Sequence, residues 1–190
     1  QGGSVFVIFR RPVAAAAAGA ARSNEPALKE ALALQAPWAV SFKGWGAPES
    51  VVFEKLDNWT ERPEKAIRYY SGTAAYRSGF DWSLPVPGEA LLDLGSVGVM
   101  AEVFLNGTAC GIVWTRPYRV DIAKALKPGR NKLEIRVTNT WANRLIGDAL
   151  LPAAERKTWT TYHGFKADTP VAWFRSGLLG PVTVKIPEAH

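Results

Sequence analysis

The sequence predicts an all-β fold, an antiparallel β-sandwich, on three observations. Apolar and polar residues alternate at period two in several short segments; in Lys132 to Asn139, Leu133, Ile135 and Val137 share one face while Glu134, Arg136 and Thr138 share the other. Turn signals separate these segments, among them Pro128-Gly129 and Asn106-Gly107, the latter a dipeptide that supplies both positive φ angles of a type I′ hairpin. No helical pattern between successive strands is long enough to act as a crossover, which disfavours a parallel α/β sheet.

In chain order, Ser4 to Phe9 is an apolar run of strand length that stops at Arg10-Arg11-Pro12, where proline removes a ladder donor. Residues 13–36 are alanine-rich and read as a connector, with a short helix over Pro26 to Leu34, where Ala27, Glu30, Ala31 and Leu34 recur at helical spacing. Residues 1–36 are therefore assigned to a strand and connector from a preceding domain, and 37–190 to the sandwich. Pro37 to Lys43 and Ser50 to Leu56 read as strands around a Gly44 to Pro48 turn, and Tyr69 to Phe80 as the next extended segment. Ala90 to Leu94, Val99 to Leu105, Gly111 to Trp114, Tyr118 to Ile122, Lys132 to Asn139 and Pro181 to Ile186 follow as strands. Thr140 to Gly177 is a long connection without alternation but rich in aromatics, the profile of a functional loop rather than a disordered one.

The 190 residues, 47% of them hydrophobic, suffice for one domain that buries ~70% of its unfolded surface. One cysteine, Cys110, and two histidines, His163 and His190, exclude an intrachain disulfide and Cys/His zinc clusters. No apolar run approaches the ~20 residues that span a bilayer. Since no charged n-region and apolar h-region precede the fold, the chain is expected to start inside a longer gene product. The net charge of +6 raises nucleic acid or an acidic polymer as a partner, and Arg116 to Arg136 holds seven basic residues against two acidic ones. No nucleic-acid motif accompanies that charge, so a solvated sheet face is the expectation. Of the eight tryptophans, most are expected in the core and the rest on a ligand-stacking surface.

Phosphate-loop, dinucleotide and nucleophile-elbow motifs are absent. His163 is expected to be a hydrogen-bonded structural residue, and Asp148, Glu155 and Asp168 to be capping or solvated carboxylates rather than an acid/base pair. No catalytic residue is assigned. The richer constellation is Asn139 to Asp148 (NTWANRLIGD), read as a loop that groups the ring of Trp141 with Asn143, Arg144 and Asp148. A tryptophan face covers the C–H face of a pyranose, while amide, guanidinium and carboxylate groups bond its hydroxyls. An Arg144–Asp148 ion pair that merely ties the loop down is the rival reading. Trp114 and Tyr118, on the turn that ends the hairpin, complete the candidate carbohydrate-binding residues.

At these residues the chain resembles a known pattern. The stretch from Leu105 to Asp148 resembles the sugar-binding β-sandwich of large family 2-like glycoside hydrolases, with its Asn-Gly hairpin, Pro-x-Arg-Val-Asp-Ile strand and Pro-Gly-x-Asn turn in order. Ser71-Gly72-Thr73-Ala74, Asn143 to Asp148 and Ser176 to Val182 together resemble the C-terminal domain of family 106 α-L-rhamnosidase-type hydrolases, and Phe6 to Arg10 resembles the strand that closes the preceding domain. The resemblance implies a galactose-binding-domain-like jelly roll, with the catalytic carboxylates in a separate barrel.

The expected function is a non-catalytic carbohydrate-binding module of a larger, secreted or periplasmic bacterial glycoside hydrolase, recognising a plant-type or rhamnose-containing polysaccharide. The alternative is a structural accessory domain packed on the catalytic barrel. The expected partners are a polysaccharide or oligosaccharide and the catalytic domain of the same polypeptide, with neither nucleic acid nor membrane. No cofactor is required; a bound calcium ion is left open.

Overall fold

The computed structural model describes residues 27–35 and 37–188. The Ser4 to Phe9 strand and most of the alanine-rich connector lie outside the described residues. Two antiparallel sheets form the sandwich. The smaller has the order β1 (Leu28–Ala33), β12 (Thr183–Pro187), β5 (Leu91–Asp93) and β9 (Arg119–Asp121). The larger has the order β3 (Val51–Phe53), β2 (Trp38–Ser41), β4 (Thr73–Trp82), β10 (Gly129–Thr138), β7 (Met100–Leu105) and β8 (Thr108–Val113). A two-stranded sheet of its own, β6 (Ser96–Gly98) with β11 (Gly177–Gly180), packs against β10. Helices are short: α1 (Lys65–Arg68) and α2 (Ala142–Ala149).

The alternation read from the sequence is what seats β10. Asn131, Leu133, Ile135 and Val137 are buried, and β4 and β7 present Ala74, Tyr76, Ala101, Val103 and Leu105 on the same inner face. Against them pack Leu92, Val120, Ile122 and Val184 from the smaller sheet and its flank. Each such aliphatic side chain removed from water stabilises the fold by ~1.5–3 kcal/mol. An aromatic wedge of Trp38, Phe42, Phe53, Trp59, Tyr70 and Tyr76 fills the region under α1, with edge-on pairs such as Phe42–Tyr70 at 4.9 Å.

One expectation is overturned here. Residues 28–33 form β1, not a helix, pairing with β12 from Leu28↔Pro187 to Ala33↔Thr183 with a shift between Glu30 and Leu32. Isolated alanine-rich propensity favours a helix, but an open sheet edge offers a row of unpaired backbone groups, and tertiary pairing wins. The sandwich therefore takes its first described strand from the stretch assigned to the connector.

Register decides which turns are neighbours. Thr138 at the end of β10 lies opposite both Thr73 and Met100, and Ala101 lies opposite Val113. The segments that follow Val113 and Thr138 thus leave the larger sheet at one end. Asn106-Gly107 and the 127–129 turn lie at the other, with Gly129 opposite Trp82.

Candidate functional site

Residues 139–148 are not a loop. After β10 the chain enters α2, whose first turn has Trp141 at the cap position with no side-chain cap bond. Ala142 and Ile146 are buried, but so are Asn143, Arg144 and Asp148, and a polar buried face hides the helical period that apolar residues would have announced. Gly147 allows the close approach, because a Cβ there would stand 2.6 Å from Cβ of Tyr69.

The three polar residues face inward, so they are corrected from ligand contacts to framework. Arg144 Nη2 lies 2.9 Å from Asp148 Oδ1, the i,i+4 ion pair of the rival reading. The Arg144 backbone N–H donates to Ser71 Oγ at 2.9 Å, and Asn143 Nδ2 donates to Ser176 Oγ at 3.2 Å. Asp148 Oδ2 accepts from the Thr158 hydroxyl and from the Lys157 and Thr158 backbone N–H groups. Burial pushes the Asp148 carboxyl up, but the Thr158 and Lys157 hydrogen bonds and the charge of Arg144 outweigh it, leaving its pKa below the usual carboxylate range. The motifs that carry the family resemblance therefore meet in one buried polar network: Ser71-Gly72 on one strand approach, Asn143 to Asp148 on α2, and Ser176 on the approach to β11. Asn139 binds them together, donating to Tyr70 O at 2.8 Å and Ser176 Oγ at 3.0 Å and accepting from Gly72 N at 2.9 Å.

Several rings of this region are exposed. Trp114 is 74% exposed, Trp173 74% and Trp141 59%, and Trp141 rests edge-on against Trp45 at 5.7 Å. Tyr118 is half-buried, its carbonyl accepting from Leu94 N at 2.9 Å. Trp38, Trp59 and Trp82 are core residues, while Trp114, Trp141, Trp159 and Trp173 are exposed, so fewer tryptophans pack inside than expected. Trp114 lies at the end of β8 away from the Asn106-Gly107 turn, and thus shares an end with Trp141.

A cleft of about 360 Å³ opens at this end, lined by Val99, Arg116, Thr140, Trp173, Arg175 and Ser176 among others, with no carboxylate in its wall. Its back is fixed by Ser176, whose N–H donates to Asn58 Oδ1 at 3.0 Å and whose carbonyl accepts from Trp59 N at 3.0 Å. Gly98 lets that backbone lie against β6, since a Cβ would sit 2.5 Å from the Ser176 Cα. Thr140, next to Trp141 in the chain, and Arg116, two residues after Trp114, line the cleft, whereas of the exposed tryptophans at this end only the Trp173 ring does. Sequence reasoning missed Arg116, Trp173 and Arg175 as site residues. The Trp114 to Tyr118 turn and the aromatic content of the long connection were signals for the first two, and Arg175 had none.

The remaining candidates are peripheral. His163 is exposed rather than a structural residue, and Glu155 and Asp168 are exposed as expected. Among the described residues no group of three or more His, Cys, Asp or Glu side chains is placed to hold a metal ion, and no helix is long and apolar enough to cross a membrane. The basic segment is dispersed: Arg119 pairs with Asp93, Arg130 with Asp81, and Arg136 with Glu102 and Glu134.

The family described as glycosyl hydrolase 2 galactose-binding domain-like matches residues 52–162, more than half of the chain. The chain belongs to that family. The match stops short of Trp173 and Arg175. The solved rhamnosidase from Novosphingobium sp. PP1Y is similar over 93% of this chain at 38% identity and a TM-score of 0.82. A Formosa agariphila protein named "Putative beta-glucuronidase" is 41% identical over 160 residues, 72% of this chain. The β-glucuronidase from Ruminococcus gnavus in complex with uronic deoxynojirimycin shares the fold, at a TM-score of 0.58 and 20% identity over 88% of this chain. This galactose-binding-like domain spans 16% of the rhamnosidase and 14% of the Formosa protein. It is a galactose-binding-like domain of the kind found in glycoside hydrolases, as the resemblance implied.

Proposed function

We propose that this domain is a non-catalytic carbohydrate-binding module of a larger bacterial glycoside hydrolase, secreted or periplasmic, that holds a plant-type or rhamnose-containing polysaccharide at the cleft end of the sandwich. The observation that carries the reading is an exposed Trp173 in the wall of a cleft within the ~300–1,000 Å³ range of small-ligand sites, at the sheet end that also exposes Trp114 and Trp141. Each ring offers an apolar plate for a pyranose face, contributing ~1 kcal/mol per stacked sugar. The contact set is revised accordingly: Trp114, Trp141 and Trp173 stack, Tyr118 supports the turn, and Asn143, Arg144 and Asp148 belong to the buried framework. No catalytic residue is assigned to this chain. A calcium ion, if one binds, has no role in this reading. The test is affinity electrophoresis through gels containing rhamnogalacturonan. Retardation that falls several-fold in Trp173→Ala supports the reading, and migration unchanged by any plant polysaccharide overturns it.

A structural accessory domain packed on the catalytic barrel is the second reading. Trp159 at 86% exposed and Tyr162 at 61% lie outside the cleft wall, and large exposed apolar groups of this kind mark surfaces covered in the intact protein. Fusing the chain to its neighbouring domain and measuring protection of the 158–165 segment by hydrogen exchange separates the two.

A further inference from the structure

We infer that the cleft selects an acidic sugar, and that Arg116 and Arg175 are the residues that read its anionic group. The inference rests on the carbohydrate-binding reading above and adds the chemical class of the ligand.

Among the described residues the arginines divide into three kinds. Arg62, Arg77, Arg119, Arg130, Arg136 and Arg144 each lie within ion-pair distance of an Asp or Glu. Arg68 and Arg156 lack a carboxylate partner and donate to the backbone carbonyls of Arg62 and Leu151. Arg116 and Arg175 have neither kind of partner among the described residues, although the larger sheet is well supplied with carboxylates, and both line one cleft. Guanidinium groups stay charged at any pH a protein tolerates, so this wall is permanently cationic. No Asp or Glu of the wall offsets it. Two cations of one sign in a concave, partly apolar pocket raise the local concentration of anions, and the planar guanidinium fork bonds an oxyanion through two parallel N–H donors.

Trp173 supplies the second half of the recognition. It is 74% exposed and lines the same cleft, so a ring stacked on it brings its substituents toward the arginines. Ser176 and Thr140 add hydroxyls to the wall, suited to neutral sugar oxygens. An anion without a sugar ring would leave Trp173 idle, and a neutral sugar would leave both guanidinium groups unanswered. A uronate carboxylate or a sulfate ester on a pyranose uses both. The backbone beneath is rigid, because Ser176 is held by Asn58, Trp59, Asn139 and Asn143.

The test uses the whole 190-residue chain on affinity gels containing polygalacturonate, hyaluronate, carboxyl-reduced forms of both, a sulfated but uronate-free galactan, and neutral galactan. The expected result is retention by an acidic polymer and at least tenfold weaker retention by its reduced or desulfated counterpart. Retention by the uronates assigns the anion as a carboxylate, and retention by the sulfated galactan alone assigns it as a sulfate ester. The double variant Arg116→Gln/Arg175→Gln should lose at least tenfold in affinity, with an unchanged circular dichroism spectrum because both side chains are exposed. Lys124→Gln/Lys127→Gln removes the same charge at the other end of the sandwich and should stay within twofold. Equal losses in the two double variants would mean that net charge, not the cleft, holds the polymer, and would overturn the inference. Equal retention on acidic and neutral polymers overturns it while leaving the carbohydrate-binding reading intact. Failure to retain any of the polymers, rhamnogalacturonan included, overturns both.

Discussion

The two ends of the larger sheet solve the same problem in different ways. At the hairpin end, Asn106 and Gly107 turn the chain with φ of 54° and 85°, and the Asn106 amide donates to Ala125 O and to Asn131 Oδ1, each at 2.8 Å. Asn131, fully buried, accepts from Lys127 N and donates to the carbonyls of Lys127 and Gly129. The turns are short and satisfy their own backbone. At the cleft end, Asn58, Asn139 and Asn143 use the same chemistry, but they secure a long connection through Ser176 rather than closing a tight turn. A short turn spends its polar groups on itself. A long one anchored at a few buried points leaves its remaining side chains free, and here those include Trp173 and Arg175.

The sharpest break in that comparison comes from the anchor of α2. Arg144→Ala should lower stability by ~3 kcal/mol in urea unfolding, because it removes the ion-pair partner of the buried Asp148 Oδ1 while Oδ2 keeps its hydrogen bonds to Lys157 and Thr158. A loss below ~1 kcal/mol would mean that the pair is a surface tie and that the cleft end stands without it. At the hairpin end, Asn131→Ala removes several buried hydrogen bonds and should cost ~2–3 kcal/mol by the same measurement, with glycan retention per folded molecule unchanged. Asn139→Ala should cost a similar amount and weaken retention as well, since it frees Ser176 under the cleft.

Acid should act through β5 of the smaller sheet and through α2. Burial raises the Asp93 carboxyl, but the hydrogen bonds from Lys185 and Arg119 and from the Gly95 N–H hold its pKa below the usual range, as with Asp148. A carboxylate whose folded pKa lies below its unfolded value of ~3.9 contributes its full stabilisation above that value and loses it as pH falls through the folded pKa. Chemical denaturation should therefore show little change in these contributions above about pH 5 and a decline below about pH 4 that Asp93→Asn reduces in steepness. A decline centred near pH 6 would assign the transition to other groups.

The smallest stability effects belong to the exposed rings. Trp114→Ala and Trp173→Ala should change stability by less than ~0.5 kcal/mol while weakening glycan retention several-fold. Trp141→Ala should cost somewhat more stability, ~0.5–1.5 kcal/mol, because it loses the edge contact with Trp45. If Trp173→Ala instead unfolds the domain, the ring is part of the framework, and the division between anchors and free side chains fails.

Much of the sandwich was legible beforehand because its signals are local. β10, β7 and the Asn106-Gly107 hairpin follow from alternation and from residues that tolerate positive φ, with errors of a few residues at the ends. β6 and β11 were missed, being short and rich in Gly98, Gly177 and Gly180, which carry no alternating side chains. The rings Trp114 and Trp141 were placed correctly on the surface. Asn143, Arg144 and Asp148 were not, because a polar residue written in a sequence looks the same whether water or a distant serine satisfies it.

By itself the sequence determined the all-β class, the hairpin turn and the inner faces of the long strands, since one-sided burial imposes period two on the residues of each strand and needs no knowledge of its partner. Only the tertiary structure decided that residues 28–33 complete a sheet edge, that α2 buries a polar face, and that Arg116, Trp173 and Arg175 share a cleft. Those outcomes depend on partners far along the chain, such as Ser71 with Arg144 or Asn58 with Ser176. Whether a buried polar group stabilises or costs is set by the partner it finds, and that partner is fixed by the packing of the whole domain.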